Sequence, residues 1–75
     1  MSAKYVMCIN SKAYPHDLTL HKVYRVIPDT RGEKFGDVRI VDDSGEDYLF
    51  PAKFFVTVIV PEEAEQTFEL EVITG

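Results

Sequence analysis

Seventy-five residues make one domain, and a chain this short buries only about 60% of the surface that its unfolded form exposes. A single cysteine excludes an internal disulfide, and no apolar run approaches the roughly 20 residues of a membrane-spanning helix. The net charge of −5 is uneven: residues 1–60 carry eight acids and eight bases, whereas residues 61–75 carry Glu62, Glu63, Glu65, Glu69 and Glu71 and no base.

Residues 4–9 read as the first strand, with Val6 and Cys8 turned inward and Tyr5, Met7 and Ile9 on the other face. In this apolar setting Cys8 is a small buried hydrophobe rather than a nucleophile. Residues 10–19 form a long loop whose Tyr14-Pro15 step favours extended geometry, and Leu18 and Leu20 are the expected anchors to the core. Residues 21–27 are the second strand, with Tyr24 and Val26 on one face and Val23, Arg25 and Ile27 on the other. Pro28 ends it, and residues 29–36 read as a polar turn with two glycines and an exposed aromatic, Phe35.

The stretch from 38 to 55 organises the rest. Val38-Arg39-Ile40-Val41 is β-branched and of strand length, Asp42-Asp43-Ser44-Gly45 is turn chemistry, and Tyr48-Leu49-Phe50 resumes as a strand, giving a β-hairpin. Pro51 cannot donate to a ladder, so the strand stops there or lies at an edge. A compact aromatic corner follows at residues 51–55, and residues 56–60 form the last strand of the body, ended by Pro61. Several short strands with turn signals between them, and no helix of normal length, predict an all-β small barrel or sandwich.

Beyond Pro61, Thr67-Phe68-Glu69-Leu70-Glu71-Val72 alternates strictly and places Phe68, Leu70 and Val72 on one face. The domain is therefore expected to span residues 4–60. Residues 61–75 form an acidic extension, with a strand at 67–73 that covers a sheet edge of its own barrel or of a neighbour; a strand-exchanged homodimer is slightly favoured because so small a barrel gains from extra burial.

The chain resembles the SH3-like barrel class and, more closely, small uncharacterised bacterial and phage proteins. The pieces that carry the resemblance are Val6/Cys8, Leu20/Tyr24/Val26, Asp42/Asp43/Gly45 and Pro51/Phe54/Phe55. It implies a five-stranded small barrel, here with an extra C-terminal strand, and a bacterial or phage-type cytoplasmic setting. SH3 domains end in a proline, a 3₁₀ turn bearing a tyrosine, and a final strand; residues 51–55 are similar, with Phe54 where that tyrosine stands. The chain departs from the family in having no tryptophan, the residue that marks the groove for proline-rich peptides. The resemblance thus implies the barrel more than that groove.

No catalytic chemistry is legible. Ser2, Ser11 and Ser44 lie in terminal or loop segments without a nucleophile elbow, and no phosphate-binding glycine loop is present. His16, Asp17 and His21 fall short of a zinc set, and the Asp42, Asp43, Glu46, Asp47 cluster is shorter than a calcium loop; neither a metal nor another cofactor is expected. Lys12, Lys22, Arg25, Arg31, Lys34 and Arg39 are interleaved with Tyr14, Tyr24 and Phe35, a pattern suited to single strands of nucleic acid, but the neutral body and acidic tail oppose it. The sequence therefore points to a non-enzymatic, protein-binding module. Tyr14, Phe35, Tyr48, Pro51 and Phe54 are the candidate contacts, and Phe68, Leu70 and Val72 the candidate self-association residues. The second reading, of a different class, is an acidic inhibitor that mimics nucleic acid, built on the tail glutamates and the carboxylates of residues 42–47 and marked by strong salt dependence.

Overall fold

The computed structural model describes residues 4–61 and residue 63. The described residues are mostly β, with strands β1 (Tyr5–Cys8), β2 (Val23–Ile27), β3 (Asp37–Val41), β4 (Asp47–Pro51) and β5 (Phe55–Val58), a short helix, α1 (Thr30–Lys34), and a 3₁₀ turn at Ala52–Phe54. The strands form one antiparallel sheet in the order β4-β3-β2-β1-β5. β2 joins its two halves. Val23 to Arg25 pair with β1, while Val26 and Ile27 pair with β3.

The core is the period-two pattern made physical. Val6 and Cys8, Tyr24 and Val26, Val38 and Ile40, Phe50 and Phe55 come from the same face of their strands and are buried together with Leu18. Fully burying one such aliphatic or aromatic side chain contributes roughly 1.5–3 kcal/mol. The sheet curls around this cluster. Phe50 and Phe55 belong to its two outermost strands, yet their rings meet with centroids 6.4 Å apart. Among the described residues no ladder joins β4 to β5, so the sheet is curled without being closed.

Three expectations are corrected. Residues 29–36 are not an irregular turn: Asp29 caps a helical turn by accepting from the Gly32 N–H at 2.8 Å, and α1 packs on β3. A five-residue helix has no stability of its own, so this contact and the cap hold it. Gly32 is buried within α1, and a Cβ there would fall 2.5 Å from Leu49 Cδ2. Tyr5, assigned to the outward face, is only 2% exposed. Leu18 and Leu20 part company: Leu18 is 2% exposed and in the core, whereas Leu20 is 49% exposed. Leu20 lies in the turn that leads to His21, whose backbone is left-handed at φ 68° and whose N–H donates to the Cys8 carbonyl, and that turn directs the side chain outward.

That division predicts a contrast within one loop. Leu18→Ala should lower stability by about 2–5 kcal/mol, as expected for a large-to-small change in a packed core, whereas Leu20→Ala should change it by about 0.5 kcal/mol or less. Urea unfolding of the two variants beside the parent checks this; similar losses in both would contradict the assigned packing.

Candidate functional site

The hairpin turn fixes the upper rim. The Asp42 carbonyl accepts from Gly45 N–H at 3.0 Å, Gly45 takes φ 87°, and Asp42 Oδ1 accepts from Ser44 N–H at 2.8 Å and from the Ser44 hydroxyl. Asp42 is buried, and its Oδ2 has no hydrogen-bond partner among the described residues. Asp43 points across to the β1–β2 loop. Its Oδ1 accepts from Lys22 Nζ at 2.6 Å and from the Tyr24 hydroxyl at 2.9 Å, and its Oδ2 accepts from the Thr19 hydroxyl at 2.6 Å. The Tyr24 oxygen in turn accepts from the Thr19 N–H at 2.7 Å, and Asp43 N–H donates to the Asp17 carbonyl at 2.9 Å. Desolvation works to raise the Asp43 carboxyl, but the donors Lys22, Thr19 and Tyr24 together outweigh it and hold the group below its ordinary value. This network pins the long loop to the hairpin.

With the loop pinned, its aromatic reaches the corner. Tyr14 lies edge-on to Phe50 at 5.1 Å and against Phe54 at 6.2 Å, and Phe50 continues beneath to Phe55. Tyr14 remains partly exposed, and Phe54 is half-buried on the core. The 3₁₀ turn that carries Phe54 is held at both ends: Ile9 N–H donates to the Phe54 carbonyl at 2.8 Å, and Ala52 N–H to the Gly36 carbonyl at 2.9 Å. Tyr48 is on the same face of the hairpin as Phe50, half exposed, and its hydroxyl donates to Glu46 Oε2 at 2.6 Å. That bond, then the Glu46 charge and burial, and finally the charges of Asp42 and Asp17, raise the Tyr48 phenol. Carboxylates therefore flank the aromatic patch on its hairpin side.

Of the five residues expected to contact a partner, the structure brings Tyr14 and Phe54 together. Tyr48 stands nearby on the hairpin without a ring contact to them among the described residues. Pro51 closes β4 opposite Asp37 and is partly buried. Phe35, 75% exposed at the end of α1, stands apart from the ring cluster. Phe68, Leu70 and Val72 lie outside the described residues. Phe50 links Tyr14 to Phe55, and Asp43 ties down the loop; neither role has a signal in the sequence, because both depend on residues brought together across the fold.

The charged groups are less free than their spacing suggests. Lys22 is paired with Asp43, and Arg39 bridges Asp29 at 2.8 Å and Asp47 at 3.1 Å. The Gly32 N–H first and Arg39 second hold the Asp29 carboxyl below its ordinary value, and Asp29 in turn is the main cause of a raised Arg39. Lys22 and Arg39 are thus engaged internally, as are Asp43 and Asp47. An open recess of about 180 Å³ lies beside the core, floored by Val6, Val38 and Phe55 and rimmed by Lys4, Glu33 and Asp37. Among the described residues no three His, Cys, Asp or Glu side chains converge to hold a metal ion, and no helix is long and apolar enough to cross a membrane. No family model, curated protein or solved structure matches this chain.

The Tyr24–Asp43 contact has a pH signature. Burial first, then the hydrogen bond to Asp43, pushes the Tyr24 phenol up to about 12 against an ordinary 10.0, with the Thr19 N–H opposing them. A raised phenol binds its proton more tightly in the folded state. Its contribution is therefore complete below pH 10 and is lost as pH rises from there through about 12. Tyr24→Phe should cost about 1.5–3 kcal/mol at neutral pH, the range for a hydrogen bond to a charged group, and should decline less steeply than the parent between pH 10 and 12. Urea midpoints across that range check it, and parallel slopes would contradict it.

Proposed function

We propose that the chain is a non-enzymatic SH3-like small barrel that binds another protein through the face formed by Tyr14 and Phe54, with Tyr48 beside it. The observation that carries this reading is the ring cluster itself. A long loop and the 3₁₀ turn, distant in sequence, are both tied down by backbone hydrogen bonds, and they present two adjoining, partly exposed rings above a packed core. Rings held in place from beneath lose little freedom on binding, which is the property of interface anchors. Support for the barrel comes from the strand order, from the hand-over within β2, from the approach of Phe50 to Phe55 across the gap, and from a 3₁₀ turn between the fourth and fifth strands.

Glu46 and Asp17, set around Tyr48, favour a partner segment with basic residues beside its apolar ones. Exposed pairs of this kind add little affinity, and their effect is on steering and selectivity. The alternative, a nucleic-acid mimic, draws on the tail glutamates, because Asp42 is buried and Asp43 and Asp47 are engaged by Lys22 and Arg39.

A comparison of immobilised proteins tests the proposal: the parent, Phe54→Ala, Tyr14→Ala, and Ile59→Ser as a variant of an exposed position elsewhere. With all four shown to be folded by circular dichroism, a partner retained by the parent and by Ile59→Ser should be lost or weakened at least about tenfold with either ring removed, the effect of about 1.4 kcal/mol. Equal recovery on all four would remove this face from the interaction.

A further inference from the structure

The open recess of about 180 Å³ is lined from β1, β5 and the start of β3, and its floor is the core itself: Val6, Val38 and Phe55 are all buried, yet they border it. Its rim carries both signs of charge, with Lys4 just ahead of β1, Glu33 in α1 and Asp37 at the start of β3. Elsewhere opposite charges have closed on one another, as Lys22 has on Asp43 and Arg39 on Asp29 and Asp47. Here they have not. Among the described residues Lys4 forms no ion pair with Glu33 or Asp37, although all three border one recess. The contact made by the Glu33 carboxylate is a long one, with the Asp29 N–H at 3.3 Å. The recess thus joins an apolar floor to unlike charges held apart. We propose that it is a binding site for a free α-amino acid with a branched aliphatic side chain, such as leucine. The side chain lies on the floor, the ammonium meets Glu33 and Asp37, and the carboxylate meets Lys4.

Size and charge select this class. An apolar cavity of about 150 Å³ holds a benzene ring, so the recess suits one side chain of that order. It falls short of the roughly 300–1,000 Å³ of sites that enclose larger ligands, which excludes a nucleotide. An anion would meet two carboxylates for one ammonium. A wholly apolar molecule would desolvate three charged groups and give them nothing in return. An amine would answer Glu33 and Asp37 but leave Lys4 beside a second cation. A zwitterion answers both signs, and an isobutyl group covers apolar floor that water now wets. The site is independent of the Tyr14–Phe54 face: it shares the 3₁₀ turn through Ala52 and uses neither ring.

The test is a titration of the isotope-labelled, full-length protein with L-leucine, followed by nuclear magnetic resonance. Saturable shifts of the Val6 and Val38 methyl signals and the Phe55 ring signals are expected in the millimolar range, the affinity of roughly nine heavy atoms in an open recess. Two analogues separate the charges. 3-Methylbutylamine lacks the carboxylate and 4-methylpentanoate lacks the ammonium, and each should bind at least about threefold more weakly than leucine. Lys4→Gln should bring leucine down to the amine's affinity without weakening the amine. Asp37→Asn should weaken leucine and the amine alike. Dispersed spectra like the parent's show that these two rim variants are folded. No shift at the floor residues up to about 50 mM leucine overturns the site, and so does equal binding of the three compounds or an affinity indifferent to Lys4 and Asp37. Shifts confined to Tyr14 and Phe54 overturn it too, and leave the partner-binding reading where it stands.

Discussion

Rings from the two outermost strands, Phe50 of β4 and Phe55 of β5, meet across the interior with centroids 6.4 Å apart. A single sheet of four- and five-residue strands cannot bury much if it stays flat, and among the described residues no second layer closes over it. Curling brings both ends of the sheet onto one cluster, so that every strand contributes to it. Other features follow from this constraint. β2 must divide its pairing between two neighbours, the link from β4 to β5 must be as tight as a 3₁₀ turn, and the long β1–β2 loop is free to lie over the rings near the gap.

Polar groups set the position of that loop. Asp43 gathers a lysine, a threonine and a tyrosine from the β1–β2 segment, and its own N–H donates to the Asp17 carbonyl. Charge-assisted hydrogen bonds of this sort are stronger than neutral ones, and their partners share two carboxylate oxygens, which fixes the loop's direction as well as its distance. A second network centres on the middle of β3, where Asp29 caps α1 and holds Arg39, which also reaches Asp47. Acidic residues that could have formed a solvated patch instead hold the connections of the sheet in place. Tyr14, Tyr48, Phe35 and Leu20 are the exposed large apolar side chains around them.

Such a surface has consequences for binding. Tyr14 and Phe54 form a small aromatic platform whose support is the core itself, so a change in packing at Phe50 would be felt at the surface. Phe35, 75% exposed at the end of α1, makes no ring contact among the described residues. On the far side of the sheet Tyr5 is buried, whereas Val56 on the same face is 43% exposed.

The sequence by itself determined the strands, the hairpin and most of the core. Alternation at Val6/Cys8, Tyr24/Val26 and Val38/Ile40 and the turn chemistry of Asp42 to Gly45 are local properties, and local backbone geometry follows from them. It misread residues 29–36, because Gly32 weakens a helical pattern that only the Asp29 cap and the contact with β3 sustain. Tertiary structure alone decided that Leu18 is core and Leu20 is not, that Tyr14 meets Phe54, and that Asp43 binds side chains 19 to 24 residues away. It also decided the burial of Tyr5, since β1 is apolar on both faces and its own alternation does not rank them. In each case the deciding contact joins segments far apart in the chain, and no local period or turn signal encodes such a contact.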